Sequence, residues 1–174
     1  MNYMFLPLKR YADFSGRSRR LEFWLWTLFN LIVTGVLVGF IMFAVFDSIT
    51  DLANRAAAGE FANYVPSLGS YSYVELNGVY YEIPPDIFLR TILGSMGIPG
   101  ILLGLYSLVI FIPNLAVAVR RLHDQGKSGW WILIGLVPLI GGIWLIILYF
   151  IDGTRGPNRF GPDPKAPPAS QIFS

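Results

Sequence analysis

The chain has 174 residues, of which 54% are hydrophobic and 14% charged, with a formal net charge of +2 and no cysteine. A soluble domain carries about 25% charged residues, so this composition excludes an ordinary water-facing globule, and the missing cysteines exclude disulfides and thiol or cysteine–metal chemistry. The charge is too small, and too confined to short clusters, for nucleic acid to be a partner.

Residues 1–22 hold Lys9, Arg10, Arg17, Arg19 and Arg20 against Asp13 and Glu22, and they read as a basic cytoplasmic segment. Three uncharged apolar blocks come next along the chain, at 23–46, 92–119 and 130–151. A helix needs roughly 20 residues to cross a hydrocarbon core about 30 Å thick, and backbone groups in lipid must be satisfied within the segment. The expected fold is therefore all-α, a polytopic membrane protein with three transmembrane helices. The first block exceeds the roughly 7–15 apolar residues of a signal peptide and ends in no small-x-small cleavage pattern, so it is read as an uncleaved anchor.

The loop 47–91 carries six acids against Arg55 and Arg90, which the positive-inside rule places outside. Residues 51–61 contain helix formers and suit an amphipathic helix lying on the membrane. Tyrosine-rich stretches at 71–75 and 79–83 flank Leu76-Asn77-Gly78, a hairpin signal. This small extracytoplasmic insertion, with its candidate β-hairpin, reads equally as a docking surface or an ordered connector. The turn 120–129, with Arg120, Arg121 and Lys127 against Asp124, belongs inside. Trp24 and Trp26 follow one basic cluster and Trp130 and Trp131 the other, as an interfacial belt requires.

The tail 152–174 resists this scheme. Three crossings leave it outside, although Arg155, Arg159 and Lys165 outnumber Asp152 and Asp163. A competing topology bends the third block at Pro138 and Gly141-Gly142 into a re-entrant hairpin and returns the tail inside. Re-entrant backbone needs protein or water around it, and a short chain offers little cover, so three full crossings are preferred. Beyond Pro162 the proline- and alanine-rich tail is expected to be mobile.

Within the blocks, Gly35-x-x-x-Gly39 and Gly100-x-x-x-Gly104 permit close helix approach. Asn30 and Asn114 fall at similar depth on antiparallel helices. Pro113 and Pro138 leave the carbonyls of Val109 and Ile134 without their helix donors. An amide meeting such a carbonyl would act as structural glue; the alternative is a polar lining for a small ligand or lipid headgroup.

Three motifs flank the apolar blocks: Phe14-Ser15-Gly16-Arg17-Ser18-Arg19-Arg20-Leu21-Glu22-Phe23-Trp24, Arg120-Arg121-Leu122-His123-Asp124-Gln125-Gly126-Lys127-Ser128-Gly129-Trp130-Trp131, and Gly153-Thr154-Arg155-Gly156-Pro157-Asn158-Arg159-Phe160-Gly161-Pro162-Asp163-Pro164. In this order they resemble the bacterial inner-membrane family catalogued as domain of unknown function 805, the YhaH-like proteins. The resemblance covers 9–46 and 92–164 and leaves out the outer loop. It implies a multi-pass plasma-membrane protein and no particular reaction, so no catalytic residues carry over.

Physically, Arg17, Arg19, Arg20, Arg120, Arg121 and Lys127 converge on one cytoplasmic rim, where each can attract anionic headgroups by about 1 kcal/mol. They are the candidates for binding membrane lipids, a protein partner or a second copy in a homo-oligomer. Glu22, favoured at a helix start, is expected to pair with Arg120 or Arg121. His123 and Asp124 are read as a hydrogen-bonded turn, because a closed metal site needs three or four protein ligands; no metal, cofactor or catalytic residue is expected. The expected function is non-enzymatic lipid or partner binding. The alternative is a small transporter or membrane enzyme with a polar cavity joining Asn30, Asn114 and His123.

Overall fold

A computed structural model describes residues 3–61 and 72–166. The chain is mostly helical and falls into two compact units, Met1–Ile32 with Ser107–Ser174, and Val33–Tyr106.

Two helices are long and apolar enough to cross a membrane: α2, Arg20–Ala57, and α4, Gly97–Asp124. Only 6% of the most apolar window of α2 is buried within the protein, so most of the apolar side chains in that window are left uncovered by the rest of the chain, as a lipid-facing surface is. Polar side chains in α2 turn back on their own helix. Thr27 Oγ1 donates to the Phe23 carbonyl at 2.9 Å and Asn30 Nδ2 to the Trp26 carbonyl at 2.8 Å, which keeps their groups satisfied in an apolar setting.

In the first unit, a short 3₁₀ turn at Tyr3–Phe5 and α1, Leu6–Lys9, precede α2. Phe5 packs edge-on against Phe29 at 5.5 Å, and Tyr11 donates its hydroxyl to the Val109 carbonyl at 2.6 Å. The segment expected to be a basic cytoplasmic arm therefore lies in part along the apolar helices. The carbonyl freed by Pro113 does find a donor, but the donor is this tyrosine. At the other proline, Ile134 accepts from the Val137 amide at 3.0 Å.

The helix α4 ends in a Schellman arrangement: the amides of Lys127 and Gly126 bond the carbonyls of Leu122 and His123, and Gly126 takes φ +71°, a conformation that suits glycine. The third apolar block, 130–151, is not the single long helix expected of a third crossing. It is a 3₁₀ helix over Gly129–Leu136, a break, and α5 over Ile140–Phe150. At the break the Ile140 amide bonds the Pro138 carbonyl at 2.7 Å across Leu139, whose φ is +65° and ψ −48°. That is a γ-turn of the strained hand. The two arms lie back to back, and a Cβ on Gly141 would sit 1.8 Å from the Ile134 carbonyl oxygen. Pro138 removes a donor and disfavours a helical residue before it, which explains why the helix cannot run through.

The tail returns to the end of α4. The Thr154 amide bonds the Asp124 carbonyl at 2.9 Å, and Asn158 Nδ2 the His123 carbonyl at 3.0 Å. The tail is thus packed at the same end as Arg17 and Asp124, against the expectation that it lies across the membrane. Within the tail expected to be mobile, residues 163–166 form a turn in which Asp163 receives the Lys165 amide. Residues beyond 166 lie outside the described residues.

In the second unit, β1, Ser72–Leu76, and β2, Val79–Ile83, pair antiparallel with Ser72 opposite Ile83. Asn77 and Gly78 turn the chain with φ +53° and +77°, as a primed turn demands. The expected first strand begins at Tyr71, which lies outside the described residues, as do 62–70. The helix expected over 51–61 is no separate surface helix: α2 continues to Ala57, and Leu52 and Ala53 are buried against Ile83, with α3 (Pro85–Ser95) supplying Ile87 and Phe88. Among the described residues nothing lies within 4 Å of a Cβ built on Gly35, Gly39, Gly100 or Gly104, so these glycines pack no helix within the chain.

Candidate functional site

The basic end of the first unit is built around Asp124, the single acid of the 120–129 turn. Its carboxylate accepts from Arg17 Nε at 2.8 Å and from Arg121 Nη1 at 2.6 Å. Both guanidiniums also donate to backbone carbonyls. Arg17 reaches Thr154 at 2.5 Å and Gly156 at 2.6 Å; Arg121 reaches Tyr149 at 3.2 Å and also Ile151. A second pair lies alongside: Arg120 Nη2 meets Glu22 Oε1 at 3.1 Å, the pairing expected from Glu22 at a helix start.

Side-chain exposures in this network are 0–5%. Three guanidiniums thus share two carboxylates away from water, and among the described residues Arg120 Nε and Nη1 have no partner. Such charges are tolerable only because each is held by charge-assisted bonds. The fit is close. A Cβ on Gly153 would lie 2.0 Å from Asp124 Oδ2, so glycine is required where the tail passes the carboxylate.

This burial corrects the rim of candidate headgroup ligands. Arg17, Arg120 and Arg121 are internal and cannot face lipid. Arg19, Arg20 and Lys127 remain half-buried at the surface: Arg19 donates to the Pro164 carbonyl, Arg20 pairs with Asp152 at 2.7 Å, and Lys127 lies over the Trp131 ring at 4.8 Å. Sequence reasoning registered the tail cations only as an exception to the charge rule and did not place them at this face. Arg155 and Arg159 are exposed, and Arg159 donates to the Gly126 carbonyl at 3.0 Å, beside Lys127. Their excess over Asp152 and Asp163 is the signal that could have found them.

His123 and Asp124 do not act as a pair. Asp124 faces the arginines, while His123 stacks on Phe160 at 3.8 Å with planes 5° apart and turns Nδ1 toward the Gly16 carbonyl at 3.3 Å. Among the described residues no cluster of three His, Asp or Glu could hold a metal. Asn30 and Asn114 line one cavity of about 220 Å³ with Trp26, whose indole donates to Asn114 Oδ1 at 2.6 Å. His123 lines a different, apolar cavity of about 490 Å³. The two amides are brought together; the histidine is not part of their cavity.

In the tail, Asp163 accepts the amides of Lys165 and Gly156, which hold its carboxyl below the usual carboxylate range. Asp152 is held low chiefly by Lys165, at 2.9 Å, and then by Arg20.

The residues that build this network span all three motifs, and the family described as "Protein of unknown function (DUF805)" matches residues 11–162. The chain belongs to the DUF805 family. It is 35% identical over 170 residues to the inner membrane protein YhaH of Escherichia coli K12, covering 97% of this chain and 100% of that one. To the inner membrane protein YhaI of the same strain it is 33% identical over 165 residues, covering 95% and 97%. A partial likeness, 32% over 76 residues, links it to the uncharacterized protein YiiR of that strain, with 29% of this chain and 52% of the relative covered. No solved structure matches the chain. With its apolar helices, this DUF805 chain is an integral protein of the bacterial inner membrane.

Proposed function

We propose that this protein is a non-enzymatic inner-membrane protein that binds anionic phospholipid at its cytoplasmic end. The supporting observation is a division of labour among the cations. Arg17 and Arg121 lock the start of the tail to α4, and the lock brings Arg159 to the Gly126 carbonyl beside Lys127, with Arg155 exposed on the same tail. Arg155 and Arg159 are exposed, Lys127, Arg19 and Arg20 lie half-buried at the surface, and each contributes about 1 kcal/mol against an anionic leaflet.

The reading includes a topology: two crossings, by α2 and α4, and a re-entrant hairpin. At about 2.0 Å per residue the 3₁₀ arm is roughly 16 Å long, and at about 1.5 Å per residue α5 is roughly 16 Å. Each is about half of a 30 Å core. The 3₁₀ arm starts at Gly129, directly after the basic helix end, and α5 ends where the Phe150 and Ile151 carbonyls accept from Arg20 and Arg121.

The test is to reconstitute the full chain in nanodiscs of mixed zwitterionic and anionic lipid and to measure anionic enrichment around it. The triple variant Lys127→Gln, Arg155→Gln, Arg159→Gln should lose most of that enrichment. Equal enrichment in a correctly folded triple variant overturns the reading.

A further inference from the structure

The 490 Å³ cavity is a groove between α4 and the 3₁₀ arm. Its walls are Leu115 and Val119 on one side and Trp130, Ile132 and Leu133 on the other, with Phe14 closing one end. Along α4 it begins one residue from the helix end and runs back to Leu115, roughly 12 Å by helical rise. Trp130 is 78% exposed and Leu133 48%, so the groove opens sideways into the layer where acyl chains lie.

Its polar end has a defined chemistry. Because the Gly16 carbonyl can only accept, Nδ1 of His123 carries the proton of the neutral ring, and Nε2 is left as an acceptor. The ring is fixed in that pose by Phe160. Nε2 points toward Gly129: a Cβ there would lie 3.6 Å from it and 2.7 Å from Val119 Cγ1. Glycine at 129 therefore keeps the groove open to the imidazole. Ser128 lines the same end, and among the described residues Nε2 has no hydrogen-bond partner. The flanking charges are Lys127 and Arg159; the nearby Asp124 carboxylate is already paired with Arg17 and Arg121.

An apolar slot open to the bilayer, a hydrogen-bond acceptor at its head and cations beside it suit an anionic lipid whose headgroup carries a hydroxyl. We infer that the groove is a specific site for phosphatidylglycerol, with one acyl chain along Leu115, Val119 and Leu133. The glycerol headgroup donates a hydroxyl to His123 Nε2, and the phosphate lies between Lys127 and Arg159. A phosphatidylethanolamine offers no net charge to those cations, and a phosphatidylcholine offers no donor to the imidazole. The inference rests on the lipid-binding reading above and gives it a single stoichiometric site.

The experiment is lipid mass spectrometry of the full chain extracted in mild detergent from a membrane rich in both phosphatidylethanolamine and phosphatidylglycerol. About one phosphatidylglycerol per chain is expected. Leu133→Trp, which fills the groove from its lipid-exposed wall, should lower that retention at least about fivefold. His123→Phe, which keeps the stack on Phe160 and removes the acceptor, should lower phosphatidylglycerol retention while a zwitterionic lipid takes its place. In a second measurement, brominated phosphatidylglycerol at low mole fraction should quench the emission component that Trp130→Phe removes more strongly than the same fraction of brominated phosphatidylcholine; equal quenching by the two overturns the preference. Retention within twofold of wild type in Leu133→Trp overturns the groove; if the rim triple variant still loses enrichment in the same assay, the general lipid-binding reading survives it. Loss in neither variant overturns both.

Discussion

Replacing Asp124 with Asn keeps the shape of the side chain and removes the charge that two buried guanidiniums share. Removing one partner of a buried ion pair costs about 3–5 kcal/mol, because the other charge is left uncompensated. Here Arg17 and Arg121 retain carbonyl acceptors at Thr154, Gly156 and Tyr149, which points to the lower end, about 3 kcal/mol. For a chain of this size each kcal/mol moves the melting temperature by about 2–4 °C. Asp124→Asn should therefore melt about 6–12 °C below wild type, followed by far-ultraviolet circular dichroism in detergent. Arg17→Met should lower it comparably. The double variant should fall short of the sum by about 1–3 kcal/mol, since the two changes remove one shared contact. An Asp124→Asn protein melting within about 2 °C of wild type, or strictly additive losses, would refute the claim that this carboxylate holds the tail to α4.

Tyr11→Phe leaves the Val109 carbonyl without its donor and should cost about 1–3 kcal/mol. In a Pro113→Ala background, where the backbone amide is restored, the same change should cost much less, as a double-mutant cycle by thermal melting will show. Gly141→Ala places a methyl 1.8 Å from the Ile134 carbonyl oxygen and should force the hairpin arms apart, raising hydrogen exchange over 129–150. Relieving the γ-turn through Leu139→Gly should leave exchange there unchanged or lower. The Asp163 carboxyl is held below its ordinary value by the amides of Lys165 and Gly156. Its contribution is therefore fully present above the unfolded carboxylate pKa of about 3.9 and lost as pH falls through the lower folded value. Limited proteolysis at 155–166 should accelerate only in that acid window, and Asp163→Asn should show the acid behaviour at neutral pH.

Much of this architecture is legible in the sequence because membrane constraints act on length and charge. The two long spans announce themselves as uncharged runs, and Asn77-Gly78 announces a primed turn through its need for positive φ. The Glu22–Arg120 pair follows from a carboxylate at a helix start opposite a basic helix end. The burial of Arg17 and Arg121 is not legible. A basic cluster beside an apolar block looks the same whether its guanidiniums face headgroups or an internal aspartate, and the decisive contacts come from carbonyls of 149–156, which no side-chain pattern encodes. Gly153 carries the only trace: a glycine just past the third block, needed because Asp124 occupies the space of its Cβ. Tyr11 escapes for a similar reason. Pro113 identifies the orphaned acceptor at Val109, but a donor 98 residues away cannot be read from local spacing.

In the proposed re-entrant topology, two weak signals of the third block support each other. Taken alone, Pro138 and Gly141-Gly142 are compatible with a kinked crossing, and a positive tail is a mild exception to the charge rule. The objection to a re-entrant turn is lack of cover for its backbone. The chain answers it locally: the 3₁₀ arm and α5 satisfy their own ladders, Ile140 and Val137 amides close the turn on Pro138 and Ile134, and Gly141 lets the two backbones touch without an intervening side chain. Only the tip remains, and it is Leu139, 90% exposed, an aliphatic cap on a strained turn where hydrocarbon is the natural solvent. In the proposed topology, a hairpin of this depth would need no charge on its far side and would return the tail cations to the leaflet where cations accumulate. The half-length arms and the positive tail are then consequences of one choice, made where proline stops the helix.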